Sequence, residues 1–569
     1  MAIDERRSPY YAPRAYIRSS GNARMPVECA SRRSEVTRWG PSATLIGILV
    51  LALFVRFQGI TYGLPLDFYA PDEAVKAGTV AQFRHGAFIH PSPRQPLFLL
   101  NTAYLFQFAT RPFKEELLTR ISAFGTMSDE MLERAFLIWS SRLWLALIGA
   151  ATCGLVFLLG KRLWNEIAGL FAAFFYALWP LPVAATHYVK EDTPLAFFTT
   201  LVLLLCLSLL RHGRRRDYVL VGLCCGLAFG AKYPGAFTLF ALLAAHLLRL
   251  PEGKAKLLPR GFVATHLAPL GLAFATGVFG FALASPQHLV QIPYFLSEGL
   301  IWQSKYLVSG HLDGIRVDAL PEWFTFYLRK GLWPGLAVGL PIAIAGWLTA
   351  ICMLKNETDR LRSVALVAGW MSSYYLVAES VPTKPYPFFA RYVLPTVPLL
   401  AIGAGISCSL LWDQLKPRDS ARSYFAGALL ILIVAATILP ATLLSRYVLP
   451  DTRDLAMEWL DRRSGRLIVE GYFVYPVEFR DEAAGKWKVI VSRKCFAEIE
   501  EVRDEAGGAV YVGLNSFNTD RWLAYPEVRQ ECSARIQRIL KEGRLVMELR
   551  KPWASYGYHN PDIRIYQWK

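Results

Sequence analysis

Residues 187–210 read HYVKEDTPLAFFTTLVLLLCLSLL, and the change in character at Pro194 indicates the fold. The residues before it include four that can ionise: His187, Lys190, Glu191 and Asp192. From Pro194 onward the run is uncharged and close to the roughly 20 residues that cross a bilayer as a helix. Similar runs recur along the 569 residues, of which 19% are charged, against about a quarter in soluble domains. The sequence therefore predicts a polytopic membrane protein.

Eleven apolar runs predict eleven spans. They cover 43–60, 138–160, 166–186, 194–210, 218–233, 235–249, 262–284, 332–354, 361–380, 391–412 and 424–445. Counted from a cytoplasmic N-terminus, the even-numbered breaks between spans are short and basic, as the positive-inside rule expects of cytoplasmic loops. Segment 95–110 is also apolar, and it either lies in the interface or crosses the membrane. Depending on whether this segment crosses, the sequence predicts 11 to 13 transmembrane helices.

The chain divides into three predicted parts. Residues 1–42 are polar and Arg-rich, lack the apolar core of a cleavable signal peptide, and are typical of a cytoplasmic basic tail. Residues 43–445 form the transmembrane domain, with long outer loops at 61–137 and 285–331. Residues 446–569 follow an odd number of spans, so they are predicted to lie outside the cytoplasm.

The C-terminal part has the pattern of a small α/β domain. Asp451-Thr452 can cap a helix, and a second, amphipathic helix is predicted near 526–541. Five short runs predict strands: 467–474, 488–491, 509–514, 545–549 and 563–566. Cys495 and Cys532 are the two cysteines of this part, and outside the cytoplasm they could form a disulfide. Their spacing leaves that pairing open.

The high net charge and a row of regularly spaced glycines both have structural explanations. The net charge of +17 collects in short loops between apolar runs, which the positive-inside rule explains, so we expect no nucleic-acid partner. Gly222, Gly226 and Gly230 recur every four residues and predict a face for close helix packing.

Carboxylates at the outer membrane boundary are the first candidates for chemistry. Asp72-Glu73 follow the first span, Asp192 precedes the fourth, and the topology places all three on the same face. One carboxylate can act as a general base, and others can bind Mg²⁺ or Mn²⁺, which prefer oxygen ligands. The alternative is structural, because Asp72 and Asp192 both stand where a helix begins and could cap it.

Basic residues on the same face are the second group. They are Arg142, Lys190, Lys232, Lys384 and Arg391. The positive-inside rule does not call for them there, and Lys and Arg facing carboxylates suit a phosphate group. Each could instead be an interfacial anchor. His187 and His311 are candidate metal ligands, although neither has a second His nearby in sequence.

The order of these motifs resembles that of a known superfamily. Pro71-Asp72-Glu73 comes first, then Ser141-Arg142-Leu143, Thr186 to Pro194, Gly230 to Gly235, and Arg391-Tyr392-Val393-Leu394-Pro395. Over residues 43–412 this order resembles the GT-C glycosyltransferases of the protein O-mannosyltransferase and aminoarabinose-lipid A transferase superfamily. The resemblance implies an all-α polytopic GT-C fold, here followed by the small α/β domain.

The resemblance also implies an activity. It implies transfer of a sugar from a polyprenyl phosphate or pyrophosphate to an acceptor on the outer face, generally with inversion. Asp72 then corresponds to the family's catalytic base, and Asp192 to the acidic residue that helps to bind metal or donor. Arg142, Lys232 and Arg391 match motifs that contact the donor phosphate, and His311 lies in the counterpart of the mobile loop over the donor.

The sequence thus predicts a membrane glycosyltransferase. The catalytic candidates are Asp72 and Glu73. The candidates for binding the donor phosphate are Arg142, Lys190, Lys232, His311 and Arg391. The candidate ligands of Mg²⁺ or Mn²⁺ are Asp192 and His187. The acceptor stays open between lipid, glycan and protein. The compact architecture suits a prokaryotic plasma (inner) membrane. The alternatives are a lipid or solute transporter, or a membrane phosphotransferase acting on lipid head groups.

Overall fold

The structure is a computed structural model in which described and undescribed stretches alternate. It describes residues 28–66, 69–70, 72–89, 94–121, 128–249, 266–309, 315–317, 322–384, 390–415, 420–471, 487–492, 495–499 and 509–568. Two compact units are distinguished, Met1–Thr44 and Leu45–Lys569. The helical part with its outer segments and the C-terminal sheet both belong to the second unit.

Helices dominate the chain up to residue 447, and a helix or a bent pair of helices lies at each of the eleven predicted spans. The longer helices are Glu28–Phe57, Glu73–Arg84, Phe98–Thr110, Lys114–Ile121, Asp129–Leu163, Glu166–Leu178, Asp192–His212, Arg215–Ala231, Thr238–Leu248, Ala268–Ala284, Gly339–Met353, Thr358–Ser380, Val397–Asp413 and Ala421–Tyr447. Shorter α-helical pieces are Pro180–Ala184, Gln287–Val290, Ile292–Tyr294, Trp302–Ser309, Glu322–Tyr327 and Trp333–Leu336.

Not every helix is long enough to span a bilayer alone. Among the described residues, five helices have the necessary length and apolar character, or up to seven if each of two bent pairs counts as one span. One pair bends by 56° between Glu166–Leu178 and Pro180–His187. The break falls at Trp179, whose ψ of 135° is extended, because the residue before a proline is driven out of the helical region.

Small residues bring two helices into close contact, as the sequence predicts. A Cβ atom on Gly226 would lie 1.9 Å from the carbonyl oxygen of Gly277, and one on Gly222 would lie 2.1 Å from that of Ala273. Helix Arg215–Ala231 therefore packs backbone to backbone on helix Ala268–Ala284, a contact that a larger side chain would prevent.

The first outer loop contains the helix Glu73–Arg84. Ala77, Val80 and Phe83 are buried on its inner face, whereas Val75 is exposed. The apolar segment near residues 95–110 forms helix Phe98–Thr110. In the outer loop 285–331, a short strand β1 (Ile315–Arg316) pairs antiparallel with β2 (Thr383–Lys384).

The C-terminal part contains a five-stranded mixed sheet. Its strands are β3 (Gly465–Val469), β4 (Trp487–Val491), β5 (Val510–Asn515), β6 (Arg544–Leu549) and β7 (Ile563–Trp568). Their order is β4-β3-β5-β7-β6, with β3 parallel to β4 and β5, and β7 antiparallel to β5 and β6. All five predicted strands are confirmed.

The helices and the disulfide of this part are also formed. Helix Thr452–Asp461 begins after Asp451, whose side chain accepts a capping hydrogen bond, and the amphipathic helix is Gln530–Glu542. A further helix, Ser516–Ala524, was not predicted; Asn515 caps it directly at the end of β5. Cys495 and Cys532 are bonded to each other, which closes the question that their spacing left open.

Candidate active site

Asp72 stands immediately before helix Glu73–Arg84 in an unusual backbone conformation. Its φ of 69° is left-handed, which is disfavoured for a residue with a Cβ atom. Its carboxylate caps the helix through no described hydrogen bond and instead forms an ion pair with the ammonium of Lys190, 118 residues further along the chain. The capping explanation considered from sequence therefore does not account for this side chain, which is 63% exposed.

Glu73 and Arg142 form a buried, two-pronged ion pair. Arg142 donates to the two carboxylate oxygens of Glu73 at 3.0 Å and 2.6 Å. Its guanidinium also donates to the carbonyl oxygens of Ile60 and Tyr62, and Glu73 accepts from the backbone N–H of Val189 at 2.9 Å. Both side chains are at most 1% exposed. The pair joins the first outer loop to the 187–192 segment.

Asp192 faces two cations at the start of its helix. Its Oδ1 accepts a hydrogen bond of 2.6 Å from Lys232, and the Nε of Arg391 lies 4.0 Å from its Oδ2. The ring of Tyr392 lies beside both cations, with its centroid 4.8 Å from the Lys232 ammonium and 5.5 Å from the Arg391 guanidinium. The structure thus brings three of the predicted residues together.

The remaining carboxylate of the segment is also paired. Glu191 accepts a 2.5 Å hydrogen bond from Lys76, and both side chains are largely buried. Residues 190–192 carry one positive and two negative charges, and each of the three pairs with a residue on another element. Lys384 lies apart from this set, in a buried pair with Glu379 at 3.0 Å.

The charges of this cluster shift the pKa values of the Asp72–Lys190 pair. Burial opposes ionisation of Asp72, but the ammonium groups of Lys190 and Lys76 outweigh it and lower the pKa of Asp72 to about 2. Burial, together with the positive charges of Arg391 and Lys76, lowers the pKa of Lys190 to about 7, against the opposite effect of Asp72 and Glu191. The pKa values of both partners are lowered because Lys190 is buried beside two other cations, whereas Asp72 reaches solvent.

His187 is not placed to share a metal ion with Asp192. One ring nitrogen lies 3.0 Å from the Nε2 of His559, and the other lies 3.0 Å from the carbonyl oxygen of Arg56. Within the described ranges, no group of three or more His, Cys, Asp or Glu side chains is arranged to hold a metal ion. The predicted Asp192–His187 ligand set therefore does not fit a divalent cation. His311 lies outside the described residues.

Several residues of the cluster were missed from sequence. Lys76 lies one helical turn after Asp72, so helical spacing could have found it. The contacts of Tyr69, Tyr558 and His559 join the outer loops to the C-terminal part, and no motif or spacing in the sequence signals them.

Comparison with known proteins gives the same class as the motifs. Residues 133–280 match the family described as dolichyl-phosphate-mannose-protein mannosyltransferase. No curated protein matches the sequence of the chain.

Two solved structures are similar to this chain. One is the oligosaccharyltransferase AglB from Archaeoglobus fulgidus in complex with an inhibitory peptide and a dolichol-phosphate, at 14% identity and a TM-score of 0.49 over 92% of this chain and 74% of that one. The other is ArnT from Cupriavidus metallidurans bound to undecaprenyl phosphate, at 14% identity and a TM-score of 0.46 over 93% and 98%.

The family match is the more informative of these results. It includes Arg142, the whole 187–192 segment and Lys232, which are the residues that the motifs single out in this part of the chain. The match confirms the resemblance of this chain to the GT-C superfamily of membrane glycosyltransferases.

Proposed function

We propose that this protein transfers a sugar from a polyprenyl-phosphate donor to an acceptor on the outer face of the membrane. The observation that carries the proposal is the Asp72–Lys190 ion pair. It places an exposed carboxylate, able to take a proton, against a buried ammonium that can attract a phosphate. Lys232 and Arg391 extend the positive charge beyond it.

Asp72 acts as the general base in this proposal. The acceptor hydroxyl or amine loses its proton to Asp72 as its oxygen or nitrogen bonds to the anomeric carbon of the sugar. The bond between that carbon and the phosphate oxygen breaks, and the electron pair leaves with the polyprenyl phosphate. Attack from the side opposite the phosphate inverts the configuration at the anomeric carbon.

Lys190, Lys232 and Arg391 hold the donor phosphate. Fixed cations that face the leaving group stabilise the negative charge that grows on it in the transition state. Asp192 orients Lys232 and Arg391, because its two oxygens lie against them. His311 stays a prediction for this site.

Glu73 and Arg142 have a different role. Both are buried, and Arg142 already donates to Glu73 and to two backbone carbonyls. We assign them to positioning, since they fix the start of the Asp72 helix against the segment that carries Lys190. No step of the proposed mechanism passes through a metal ion.

The disulfide supports the proposed topology. Cys495 and Cys532 are bonded, and structural disulfides form in oxidising compartments rather than in the cytosol. We therefore place the C-terminal domain, residues 446–569, outside the cytoplasm, with residues 1–42 on the cytoplasmic side of a plasma (inner) membrane.

The test is transfer by purified protein in lipid nanodiscs supplied with radiolabelled polyprenyl-phosphate sugars, candidate acceptors, and Mg²⁺ or Mn²⁺. Asp72→Asn should abolish transfer, because the amide cannot take the proton, while the protein stays folded in the membrane. Glu116→Gln is the matched control, since Glu116 is an exposed carboxylate of the same outer loop that pairs with Arg120, four residues further along the chain. Full activity in Asp72→Asn would refute the assignment of the base.

Product analysis separates the alternatives. A glycosyltransferase releases polyprenyl phosphate, whereas a phosphotransferase would move the phosphate itself. Movement of solute or lipid across a vesicle membrane without either product would instead identify a transporter.

A further inference from the structure

The C-terminal part contacts the outer loop that carries Asp72. Tyr69, three residues before Asp72, donates its hydroxyl to Asp454 at 2.6 Å. The carbonyl oxygen of Tyr69 accepts from Arg453 at 3.0 Å, and the guanidinium of Arg453 lies 4.0 Å from the centroid of the Tyr69 ring. Tyr69 and Arg453 are fully buried, so this contact is part of the interior.

A second contact reaches the segment that carries Lys190. The hydroxyl of Tyr188 accepts a 2.9 Å hydrogen bond from the backbone N–H of Tyr558. The two aromatic rings meet edge to face with their centroids 5.1 Å apart. The neighbouring residues pair as well, with His187 and His559 in hydrogen-bond contact at 3.0 Å.

One hydrogen-bond network connects the two contacts inside the C-terminal part. Arg453, which holds Tyr69, also donates to the carbonyl oxygen of Tyr558 at 2.7 Å. The carboxylate of Asp451 accepts from Arg453 at 2.8 Å and from the backbone N–H of Asn560 at 2.8 Å. A continuous set of buried polar contacts therefore runs from Tyr69 through Arg453 to Tyr188.

The backbone at Asp72 shows why such a network matters. A left-handed conformation at a residue with a Cβ atom persists when the surrounding structure enforces it. Tyr69 is held on one side of Asp72 by Arg453 and Asp454, and Glu73 is held on the other side by Arg142. The C-terminal part thus supplies one of the two anchors that flank Asp72.

We infer that the C-terminal domain is a positioning element of the transferase site, with Tyr69, Tyr188 and Arg453 as positioning residues that hold Asp72 against Lys190. This inference rests on the proposed function for its catalytic consequence. The domain sets the distance between the general base and the donor-phosphate cations.

The test compares single-hydroxyl deletions in the full-length protein. Tyr69→Phe removes the hydrogen bond to Asp454, and Tyr188→Phe removes the acceptor for the N–H of Tyr558, with little change in packing. Tyr511→Phe is the matched control, because the ring of Tyr511 in β5 packs against Trp459 and Trp487 and is a member of neither contact. Arg453→Met removes the connection between the two contacts.

Kinetics distinguish positioning from general destabilisation. Tyr69→Phe should lower kcat about tenfold with donor KM nearly unchanged, since displacement of a catalytic group by a fraction of an ångström has effects of this order. Tyr188→Phe should also raise donor KM several-fold, because it loosens the segment that carries Lys190. A loss of folded protein alone would lower the apparent kcat of each variant in proportion to its own unfolded fraction and leave donor KM unchanged in both, so an unchanged donor KM in Tyr188→Phe would overturn the inference.

Hydrogen exchange provides a readout that needs no substrate. Tyr188→Phe should speed amide exchange in the 187–192 peptide, where the N–H of Val189 is bound to Glu73. Tyr69→Phe should do so in the peptide that begins at Asp72, and Arg453→Met should do so in both. Exchange as slow as in Tyr511→Phe would overturn the inference even if transfer is found. Faster exchange in a protein that transfers no sugar would support the positioning contacts and refute the proposed function alone.

Discussion

Breaking the Glu73–Arg142 ion pair should lower the free energy of unfolding, and the size of the loss depends on how deeply the pair is buried. Both side chains are at most 1% exposed, so either substitution leaves the partner's charge buried without compensation. Removal of one member of such a pair costs about 3–5 kcal/mol. Arg142→Met should lie at the upper end, because the carbonyl oxygens of Ile60 and Tyr62 also lose their donor. Glu73→Gln should lie at the lower end, since an amide still accepts hydrogen bonds.

The double variant decides whether the two residues act as one unit. Glu73→Gln combined with Arg142→Met leaves no charge buried, so its loss of stability should be smaller than the sum of the single losses by about 2 kcal/mol. The assay is unfolding in mixed micelles titrated with SDS, followed by tryptophan fluorescence. Losses that add to within about 0.5 kcal/mol would refute the reasoning.

The same variants test the role of Arg142 predicted from sequence. Because its guanidinium is committed to protein acceptors, the folded fraction of Arg142→Met should lose no more donor affinity than the several-fold expected of a positioning change such as Tyr188→Phe. A large loss of affinity there would restore Arg142 to the donor-phosphate site and refute its assignment to positioning.

Three further predictions concern charge and the disulfide. Donor KM should rise as pH passes above the pKa of Lys190, about 7, because the neutral amine no longer attracts phosphate; this pH-dependent rise should be absent in Lys190→Met. Asp192→Asn should raise donor KM about tenfold, since a hydrogen bond to a charged group such as Lys232 contributes about 1.5–3 kcal/mol, and a change below twofold would contradict its orienting role. Reduction of the bond between Cys495 and Cys532, 37 residues apart, should lower the stability of the C-terminal sheet by about 4 kcal/mol, measured by its thermal unfolding with and without reductant.

The sequence pattern predicts helices and strands well, because hydrophobic runs and capping residues act between residues that are close in sequence. The uncharged run after Pro194 becomes helix Asp192–His212, and the cap at Asp451 begins helix Thr452–Asp461. The broken span at Trp179 shows the limit of a hydropathy pattern. Apolar character continues through residues 166–186, so the pattern predicts one span there, whereas Pro180 bends the helix by 56°.

The site was predictable only in part, because charge pairing depends on distances that a single sequence does not contain. The sequence singled out Asp72, Lys190, Lys232 and Arg391 from their membrane position, and the structure brings their charges together. It could not show that Arg142 would be buried against Glu73, since an arginine near the outer end of a span suits a phosphate ligand equally well. Tyr558, which donates its backbone N–H to Tyr188, lies 370 residues further along the chain, beyond any periodic signal.

The pairing of the predicted donor-site cations has a consequence for binding. At the membrane boundary a buried, unpaired charge is costly, so Lys190 rests against Asp72. In the proposed mechanism a donor phosphate exchanges with this carboxylate rather than entering an empty cationic pocket. When it draws Lys190 away, the attraction that lowers the pKa of Asp72 weakens, and the carboxylate becomes a stronger base. The proposed mechanism therefore couples donor binding to activation of the base through a single ammonium, which favours proton transfer only when the leaving group is in place.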